Sequence, residues 1–479
     1  DVSIGWGALA ALYNGGWSKT STTTNYLSFY AVVAYSLMNR YVVNVNVRSD
    51  ASNRFGQDVN KQFDPTWSFG ASWKIAQEPF VAEHLPWLDQ LNLRATYGIQ
   101  GNVVNSLSPE MIVKYQGLLQ SYNEYYLTIS SLPNKQLKWE RTKSWNFGAD
   151  LSLFGVTMNF EYYRRSSNAI IRQDIPQEYG METMPLNGGL ITNNGIEVTL
   201  NFTPVRTRDW VWTVGVNAGK NWNRSESDDR TAKADELTHT DFLNGNSSRP
   251  LKNGYPLSAF WSYKFTGLDG KNGYPTFQYA TYDAVDGDGS IDPTTFLVYS
   301  GQSEPYFSGG LNTRLRWKNF HFGIDFALMI GADKRLPNPY STFTYGKMPD
   351  IFSNLSKELN NRWKQPGDEA KTNIPALYTS IRDLYNLNLP NGLYDNIYSM
   401  WSQSDVRVAD ASFLRCTQIS LSYSIPQNLC KKLGMSRIQI SANVNNLFVI
   451  ASDDWKGYDP ELGYSIQPRI YSVGLSVGF

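Results

Sequence analysis

The most constraining feature of this sequence is an alternation of apolar with small polar residues over segments of about 8 to 12 residues. Successive side chains of a β-strand point to opposite faces, so each such segment is predicted to be a strand with one apolar and one polar face. The clearest segments are 43–48, 212–219, 419–425, 438–445 and 471–479. The chain is therefore predicted to be all-β.

The polar face distinguishes between the possible all-β folds. A soluble β-sandwich would carry charged residues on its solvent face and would use shorter strands. Here that face is mostly Ser, Asn, Gly, Thr and Gln, and aromatic residues gather at probable strand ends, as at Tyr162, Tyr163 and Trp210. A lipid-facing wall around a wet lumen, bounded by aromatic girdles, has this pattern. We predict a transmembrane antiparallel β-barrel, of which this chain supplies about 14 to 16 strands.

The composition agrees with strands, and not helices, as the membrane-crossing elements. Aromatic residues make up 14% of the 479 residues, yet the mean hydropathy is only -0.40. No run approaches the roughly 18 to 20 apolar residues that a membrane helix needs. Because only half of the residues of a barrel strand face lipid, a barrel keeps a soluble-looking average.

The predicted strands are joined by short turns and by much longer polar loops. Phe154-Gly155 is a candidate short turn, and the long-loop candidates are 168–192, 226–256, 266–305 and 332–410. Outer-membrane barrels have short periplasmic turns and long outer loops. Alternation begins within the first fifty residues, so residues 1–479 are expected to form one barrel portion without a separate N-terminal domain.

The last segment carries a candidate barrel-assembly signal. Apolar residues occupy every second position from Tyr471 to Phe479, and serine or glycine occupies the positions between them. A terminal Phe alone is a weak signal, but a terminal Phe that closes an alternating strand is typical of outer-membrane barrels.

An acidic loop is the best candidate for a metal site. Its carboxylates are Asp283, Asp286, Asp288 and Asp292. Oxygen ligands two residues apart, followed by a glycine for the sharp turn, resemble the middle of a calcium loop. The loop departs from that pattern at both ends, where Ala284 and Thr295 stand in place of Asp and Glu. It is predicted either to bind Ca²⁺ or Mg²⁺ or to be a solvated turn whose carboxylates bond to backbone amides.

Aromatic and amide-rich loop segments are candidates for substrate binding. The residues singled out are Trp261, Tyr263, Tyr340, Tyr345, Tyr398, Trp401 and Trp455. Their rings could stack on sugars or clasp a peptide. The alternative is that they pack the loops against each other and against a partner.

Other classes of function find little support. The 43 Lys and Arg residues balance 43 Asp and Glu residues, which argues against binding nucleic acid by phosphate neutralisation. His84, His239 and His321 are far apart, and the chain contains no HExxH, GxSxG, GxGxxG or phosphate loop. No enzymatic activity is expected and no cofactor is required. Cys416 and Cys430 are either isolated thiols or a single disulfide.

A series of short motifs runs in order along the whole chain. They lie at 40–56, 63–70, 93–98 with 101–102, 137–140 with 146–150, 193–197, 254–257, 267–270, 283–292, 362–363 with 366–368, 410–415, 445–448 and 457–461. Each one is weak, but their order and spacing together resemble the C-terminal half of the SusC/RagA family of TonB-dependent outer-membrane transporters of Bacteroidetes.

That resemblance implies a barrel of about 22 strands with an N-terminal plug. It also implies a SusD-like surface lipoprotein that covers the barrel and the TonB-ExbB-ExbD complex that acts through the plug. The plug domain and the TonB box are absent from this chain, and an open sheet would leave unpaired strand edges in lipid. The expected partners therefore include an N-terminal plug-bearing fragment or chain of the same transporter.

The function implied is TonB-energised import of a large nutrient, an oligosaccharide or an oligopeptide, across the outer membrane of a Gram-negative bacterium. One alternative is a passive porin or adhesin-like barrel, which would have no energised plug. A second is a soluble β-rich glycan-binding protein, which the apolar strand faces oppose.

Overall fold

The computed structural model describes residues 25–52, 63–102, 111–134, 137–176, 178, 180, 183–227, 243–245, 252–279, 296–340, 354–377, 396–463 and 465–479. Within these ranges the chain is dominated by β-strands, as predicted. The strands are, in chain order, β1 (Tyr26–Leu37), β2 (Tyr41–Ser52), β3 (Phe63–Lys74), β4 (Leu88–Asn102), β5 (Ile112–Leu119), β6 (Glu124–Ser131), β7 (Glu140–Leu153), β8 (Val156–Asp174), β9 (Thr183–Arg206), β10 (Trp210–Ser227), β11 (Ala259–Tyr263), β12 (Phe265–Leu268), β13 (Pro275–Phe277), β14 (Leu297–Gln302), β15 (Phe307–Trp317), β16 (Phe320–Ile330), β17 (Asp333–Arg335), β18 (Val408–Asp410), β19 (Phe413–Ser424), β20 (Arg437–Ala451) and β21 (Ile470–Gly478).

Thirteen strands form one continuous antiparallel sheet in the order β1-β2-β3-β4-β7-β8-β9-β10-β15-β16-β19-β20-β21. Each strand pairs with the next sheet strand along the chain, and β1 and β21 are the two edges. The described residues thus supply one strand fewer than the predicted 14 to 16. The reason is that alternating segments such as β5 and β6 pair with each other in a loop and do not join the sheet.

The register of the sheet separates an apolar from a polar face. Phe322 lies beside Leu315 and Leu421, whereas the next position, Gly323, lies beside Arg314 and Ser420. The apolar face remains open: on the edge strands Tyr35 is 62% exposed and Val473 is 83% exposed. A soluble protein would bury such a face, whereas the outer wall of a membrane barrel presents it to lipid.

Connections at the two ends of the sheet differ in length. At one end the strands are joined by short turns at 38–40, 154–155, 207–209 and 318–319, and by the helical segments 75–87 and 425–436. Phe154 and Gly155 have φ values of 48° and 77°, as a type I′ hairpin turn requires, so the predicted turn is confirmed. At the other end, long connections span 103–139, 228–306, 331–412 and 452–469. The predicted long loop at 168–192 is wrong for most of its length, because β8 and β9 extend through it as a long hairpin.

Among the described residues, helices are few and short. The α-helices are α1 (Pro79–His84), α2 (Ile397–Ser402) and α3 (Gln427–Lys432), and the 3₁₀ segments are Ile75–Gln77, Lys357–Asn361, Asp368–Ala370, Asp405–Arg407 and Asp453–Trp455. Among the described residues, no helix has both the length and the apolar character to cross a membrane.

The long connections fold together into a loop layer, which we define as the described parts of 243–279, 296–306, 331–377, 396–412 and 452–463. It contains the two-stranded sheets β11–β14, β12–β13 and β17–β18. The largest buried cluster of the described chain lies in this layer and not in the main sheet. Its members are Leu243, Trp261, Tyr263, Phe277, Phe296, Leu297, Tyr340, Leu359, Ile397, Tyr398, Met400 and Trp401.

Candidate functional site

An ion-pair network lies on the polar face of β4, β7 and β8. Arg94 donates hydrogen bonds of 3.1 Å to both Asp150 and Glu161. Gly148 makes room for this network, because a Cβ at that position would lie 2.9 Å from the Arg94 guanidinium. Glu197 lies opposite Glu161 on the neighbouring strand, so carboxylates outnumber the cation here. The polar face therefore carries fixed charge as well as neutral side chains.

A ladder of amides continues the polar face on β8, β9 and β10. Asn223 donates to the Asn193 side chain at 2.7 Å, and the Tyr163 hydroxyl donates to Asn221 at 3.4 Å. Gly195 admits the Tyr163 ring, which would lie 2.2 Å from a Cβ at that position. Amides and hydroxyls can exchange hydrogen bonds with the hydroxyl or amide groups of a polar solute.

The predicted substrate-binding aromatics lie in the loop layer. Six of them are at most 5% exposed: Trp261, Tyr263, Tyr340, Tyr398, Trp401 and Trp455. The first five share the large buried cluster, and Trp455 packs in a smaller one with Ala332, Ala409 and Ala411. Tyr345 lies outside the described residues.

The polar atoms of Tyr340, Tyr398 and Trp401 form hydrogen bonds within the loop layer. Tyr340 packs edge-on against Tyr398 and Trp401, with ring centroids 5.1 and 5.7 Å away. Tyr340 and Tyr398 donate to the backbone carbonyls of 375 and 376, and the Trp401 indole donates to that of Asn373 at 2.8 Å. Burial raises the pKa of the Tyr340 hydroxyl. These rings form the core of the layer; direct stacking on a substrate stays a prediction and requires the layer to open.

A partly buried arginine links three loop segments. The Arg335 guanidinium donates at 2.8 Å to the carbonyls of Leu243 and Trp261 and at 3.2 Å to that of Ser404. It also lies 5.3 Å from the centre of the Phe260 ring. Burial lowers the pKa of Arg335 to about 9. This role could not be inferred from the sequence, because the three carbonyls come from segments far apart in the chain.

Two further arginines, both buried, form ion pairs that stabilise the layer. Arg407 forms an ion pair with Glu358 and lies 4.6 Å from the centre of the Trp401 ring. Arg415 donates to Asp459 at 2.8 Å and to Glu461 at 2.9 Å. The two motif segments 410–415 and 457–461 are therefore in contact through the ion pairs of Arg415.

Two cavities flank the segment 453–458, beside the loop-layer end of β20. One has a volume of about 830 Å³ and is lined by 336–339, 354–358 and 454–458. The other has a volume of about 900 Å³ and reaches from Arg415 to the segment 446–459. Glu358 and Lys456 lie 3.8 Å apart at the first cavity. These concave surfaces combine charged, amide and aromatic groups, which suits a large polar ligand.

The predicted acidic metal loop cannot be placed, since Asp283, Asp286, Asp288 and Asp292 all lie outside the described residues. Elsewhere in the described chain no group of three or more His, Cys, Asp or Glu residues could hold a metal ion. Binding of Ca²⁺ or Mg²⁺ stays a prediction. Cys416 and Cys430 are both buried free thiols.

The predicted assembly signal lies on the edge strand β21. Tyr471 is 68% exposed and Phe479 is 93% exposed. Tyr471 belongs to the apolar row of this strand, which pairs with β20 on one side only, and Phe479 directly follows the last residue of the strand. Its role in assembly stays a prediction.

Comparison with known proteins identifies the protein family of this chain. Residues 5–447 match the family described as TonB dependent receptor-like, beta-barrel. The chain therefore belongs to this family of outer-membrane β-barrels, and the apolar and polar faces of its sheet are the lipid-facing and lumenal faces.

Particular relatives are consistent with the SusC/RagA resemblance. The chain is 28% identical to the TonB-dependent receptor SusC of Bacteroides thetaiotaomicron over 96% of its own length and 44% of that protein. It is 27% identical to the TonB-dependent receptor P39 of Formosa agariphila over 94% of its length and 45% of that protein. It thus spans about half the length of these curated relatives.

The solved structures agree on the fold. The RagAB peptide importer in its open-open state matches 95% of this chain and 47% of that chain, with a TM-score of 0.72 and 22% identity. Another structure of the RagAB peptide transporter gives a TM-score of 0.71.

Proposed function

We propose that this chain forms most of the wall and the outer loop layer of an outer-membrane transporter that imports a large polar nutrient, an oligosaccharide or an oligopeptide. Membership of the TonB-dependent receptor family is the observation that carries the proposal. Import is energised by the TonB-ExbB-ExbD complex through a plug that another part of the same transporter supplies. The protein is integral to the outer membrane of a Gram-negative bacterium.

The lumenal face supports passage of a hydrated solute. Its amides and ion pairs, such as Asn193 with Asn223 and Arg94 with Asp150, offer hydrogen bonds without a large apolar surface to retain the solute. Long connections gather at one end, which in outer-membrane barrels faces outward. The cavities beside 453–458 lie at this end and are the proposed first contact for the substrate.

The proposed partners follow from the relatives. The RagAB structures are of a peptide importer in a closed-closed and in an open-open state. We propose that a SusD-like surface lipoprotein docks on the loop layer of this chain, and that the remaining strands join β1 and β21 to close the barrel.

An uptake assay in the native bacterium tests this function. Cells that lack the full-length transporter are expected to lose uptake of one fluorescently labelled class, oligosaccharide or oligopeptide, and to keep the other. Deletion of TonB is expected to abolish the same uptake. Uptake that persists without TonB would instead establish a passive porin.

Affinity purification of the full-length transporter tests the partners. A surface lipoprotein and the N-terminal portion are expected to co-purify from detergent extracts. Recovery of the protein in the soluble fraction without detergent would contradict the membrane proposal.

Metal binding at 283–292 is a separate proposal, motivated by the spacing of its four carboxylates. Isothermal titration of the purified transporter with Ca²⁺ is expected to show a site that Asp286→Asn with Asp288→Asn removes. Equal heats of Ca²⁺ titration for the wild type and the double variant would identify a solvated acidic turn.

A further inference from the structure

The lipid-facing wall has a depression where β3, β4 and β7 carry alanine. Ala71 lies beside Ala95, and Ala149 lies beside Leu93 in the adjacent row. The depression has a volume of about 590 Å³, and its larger lining side chains are Tyr41, Trp73, Leu93, Phe147 and Phe160. Three methyl side chains therefore form the floor of a groove with aromatic walls.

One wall of this groove is fixed by a buried carboxylate. Glu78 is 5% exposed and accepts hydrogen bonds from the Trp73 indole at 2.9 Å and from Arg40 at 2.7 Å. It also bonds to the Tyr41 hydroxyl. The Tyr41 and Trp73 rings stack with centroids 6.3 Å apart and an interplanar angle of 16°. Because the donors share one acceptor, the rings are held in place before any ligand arrives, which lowers the entropic cost of binding.

The position of the groove indicates what fills it. Tyr41 directly follows the turn at 38–40, so the groove lies towards the short-turn end of the barrel, which faces the periplasm. The groove is continuous with the lipid-facing wall, and hydrocarbon is the medium there. A flexible acyl chain can enter a groove of this kind, whereas a flat wall offers it no preferred position.

We propose that one acyl chain of a phospholipid from the periplasmic leaflet occupies the groove floored by Ala71, Ala95 and Ala149 as a resident lipid. The proposal rests on the proposed membrane function, since it needs the wall to face lipid. It assigns the alanines the role of a binding site and Glu78 the role of a positioning residue for the site's aromatic wall.

Native mass spectrometry of the full-length transporter, titrated with palmitoyl-oleoyl phosphatidylethanolamine, tests the proposal. Ala95→Leu with Ala149→Leu fills the groove. The matched control, Ala218→Leu with Ala442→Leu, makes the same change elsewhere on the lipid-facing rows of β10 and β20. The wild type and the control are expected to retain one more tightly bound lipid than the filled variant, which should bind that lipid at least tenfold more weakly.

Equal lipid retention in all three proteins would overturn the proposal. Should the double variant fail to assemble, Ala149→Leu alone gives the same comparison with Ala442→Leu. Fractionation separates this failure from that of the proposed function: a transporter recovered in the outer membrane with unchanged lipid binding lacks the acyl site only, whereas one recovered as a soluble protein contradicts the membrane location itself.

Discussion

The lipid-facing wall and the loop layer use the same large residues with opposite burial. Trp145 on the wall is 48% exposed, and Val473 is 83% exposed. In the loop layer, Trp401 and Trp455 are each 1% exposed. The wall leaves its apolar side chains open because lipid covers them, whereas the loop layer meets water and must bury its own.

This difference shows that the structural role of an aromatic residue in such a sequence depends on the element that carries it. On the lipid-facing row of a wall strand, the ring contributes to the surface that contacts lipid. In a long loop the same ring stabilises a small folded unit, and its polar atom bonds to backbone, as the Trp401 indole bonds to Asn373. Matched substitutions in the two regions can therefore test whether the rings have these two separate roles.

The largest effect is expected for truncation within the loop core. Trp401→Ala removes a buried ring and leaves a cavity, at a cost of about 3–5 kcal/mol to the free energy of unfolding of the layer. Hydrogen exchange of 396–412 in the purified transporter measures this cost. We expect faster exchange there and unchanged exchange in β19 and β20.

Trp145→Ala is the matched control on the wall. Its ring is half-exposed, so exchange across the loop layer is expected to match the wild type. An equal loss of protection from hydrogen exchange in the loop layer of Trp401→Ala and Trp145→Ala would contradict the separation of the two regions.

The next effect concerns the two faces of one wall strand. Leu421→Arg places a charge on the lipid-facing row of β19, and such a charge costs about 2–4 kcal/mol near the bilayer midplane. Ser420→Arg places the same charge on the lumenal row. The temperature at which the assembled barrel loses its folded electrophoretic mobility is expected to fall for Leu421→Arg and to remain near the wild-type value for Ser420→Arg. The reverse order would exchange the assigned faces.

A smaller effect is expected for the cation inside the loop layer. Arg335→Lys retains the charge but cannot reach the carbonyls of Leu243, Trp261 and Ser404 together, at a cost of about 1–3 kcal/mol. Limited proteolysis of the loop layer should be faster in this variant. Arg316→Lys on the sheet, outside the loop layer, is the control. Equal proteolysis of the two variants would show that the contacts of Arg335 with the three carbonyls do not stabilise the layer.

Much of the wall was predictable from the sequence. Strand periodicity is local, so segments such as 212–219 and 471–479 indicate both their conformation and their apolar face. The terminal row from Tyr471 to Phe479 and the turn at Phe154-Gly155 were found in this way. What periodicity leaves out is register, which is why the ion pairs of Arg94 and of Arg314 with Asp325 on the lumenal face were missed.

The loop layer was much less predictable. Its stability depends on contacts between segments that are distant in the chain, such as the Arg407–Glu358 pair and the Arg335 carbonyl contacts. Local composition identified Tyr340 and Trp401 as unusual but could not distinguish a ligand-stacking ring from a core ring. The two uses differ only in what covers the ring, and that is a tertiary property.

The smallest predicted effect concerns Glu78, where a polar group organises the lipid-facing wall. Hydrogen bonds from Tyr41 and Trp73, together with the charge of Arg40, hold the pKa of the Glu78 carboxyl below its ordinary value of 4.5. Its ionised form therefore stabilises the fold above that ordinary value, and this contribution is lost as the pH falls through the lower folded value. Near-ultraviolet circular dichroism of the transporter in detergent should show a change in this acid range that Glu78→Gln lacks. Because the aromatic groups that this carboxylate orients are the Tyr41 and Trp73 rings, the signal should change while the barrel stays assembled. An identical acid transition in Glu78→Gln would assign the change to another carboxyl.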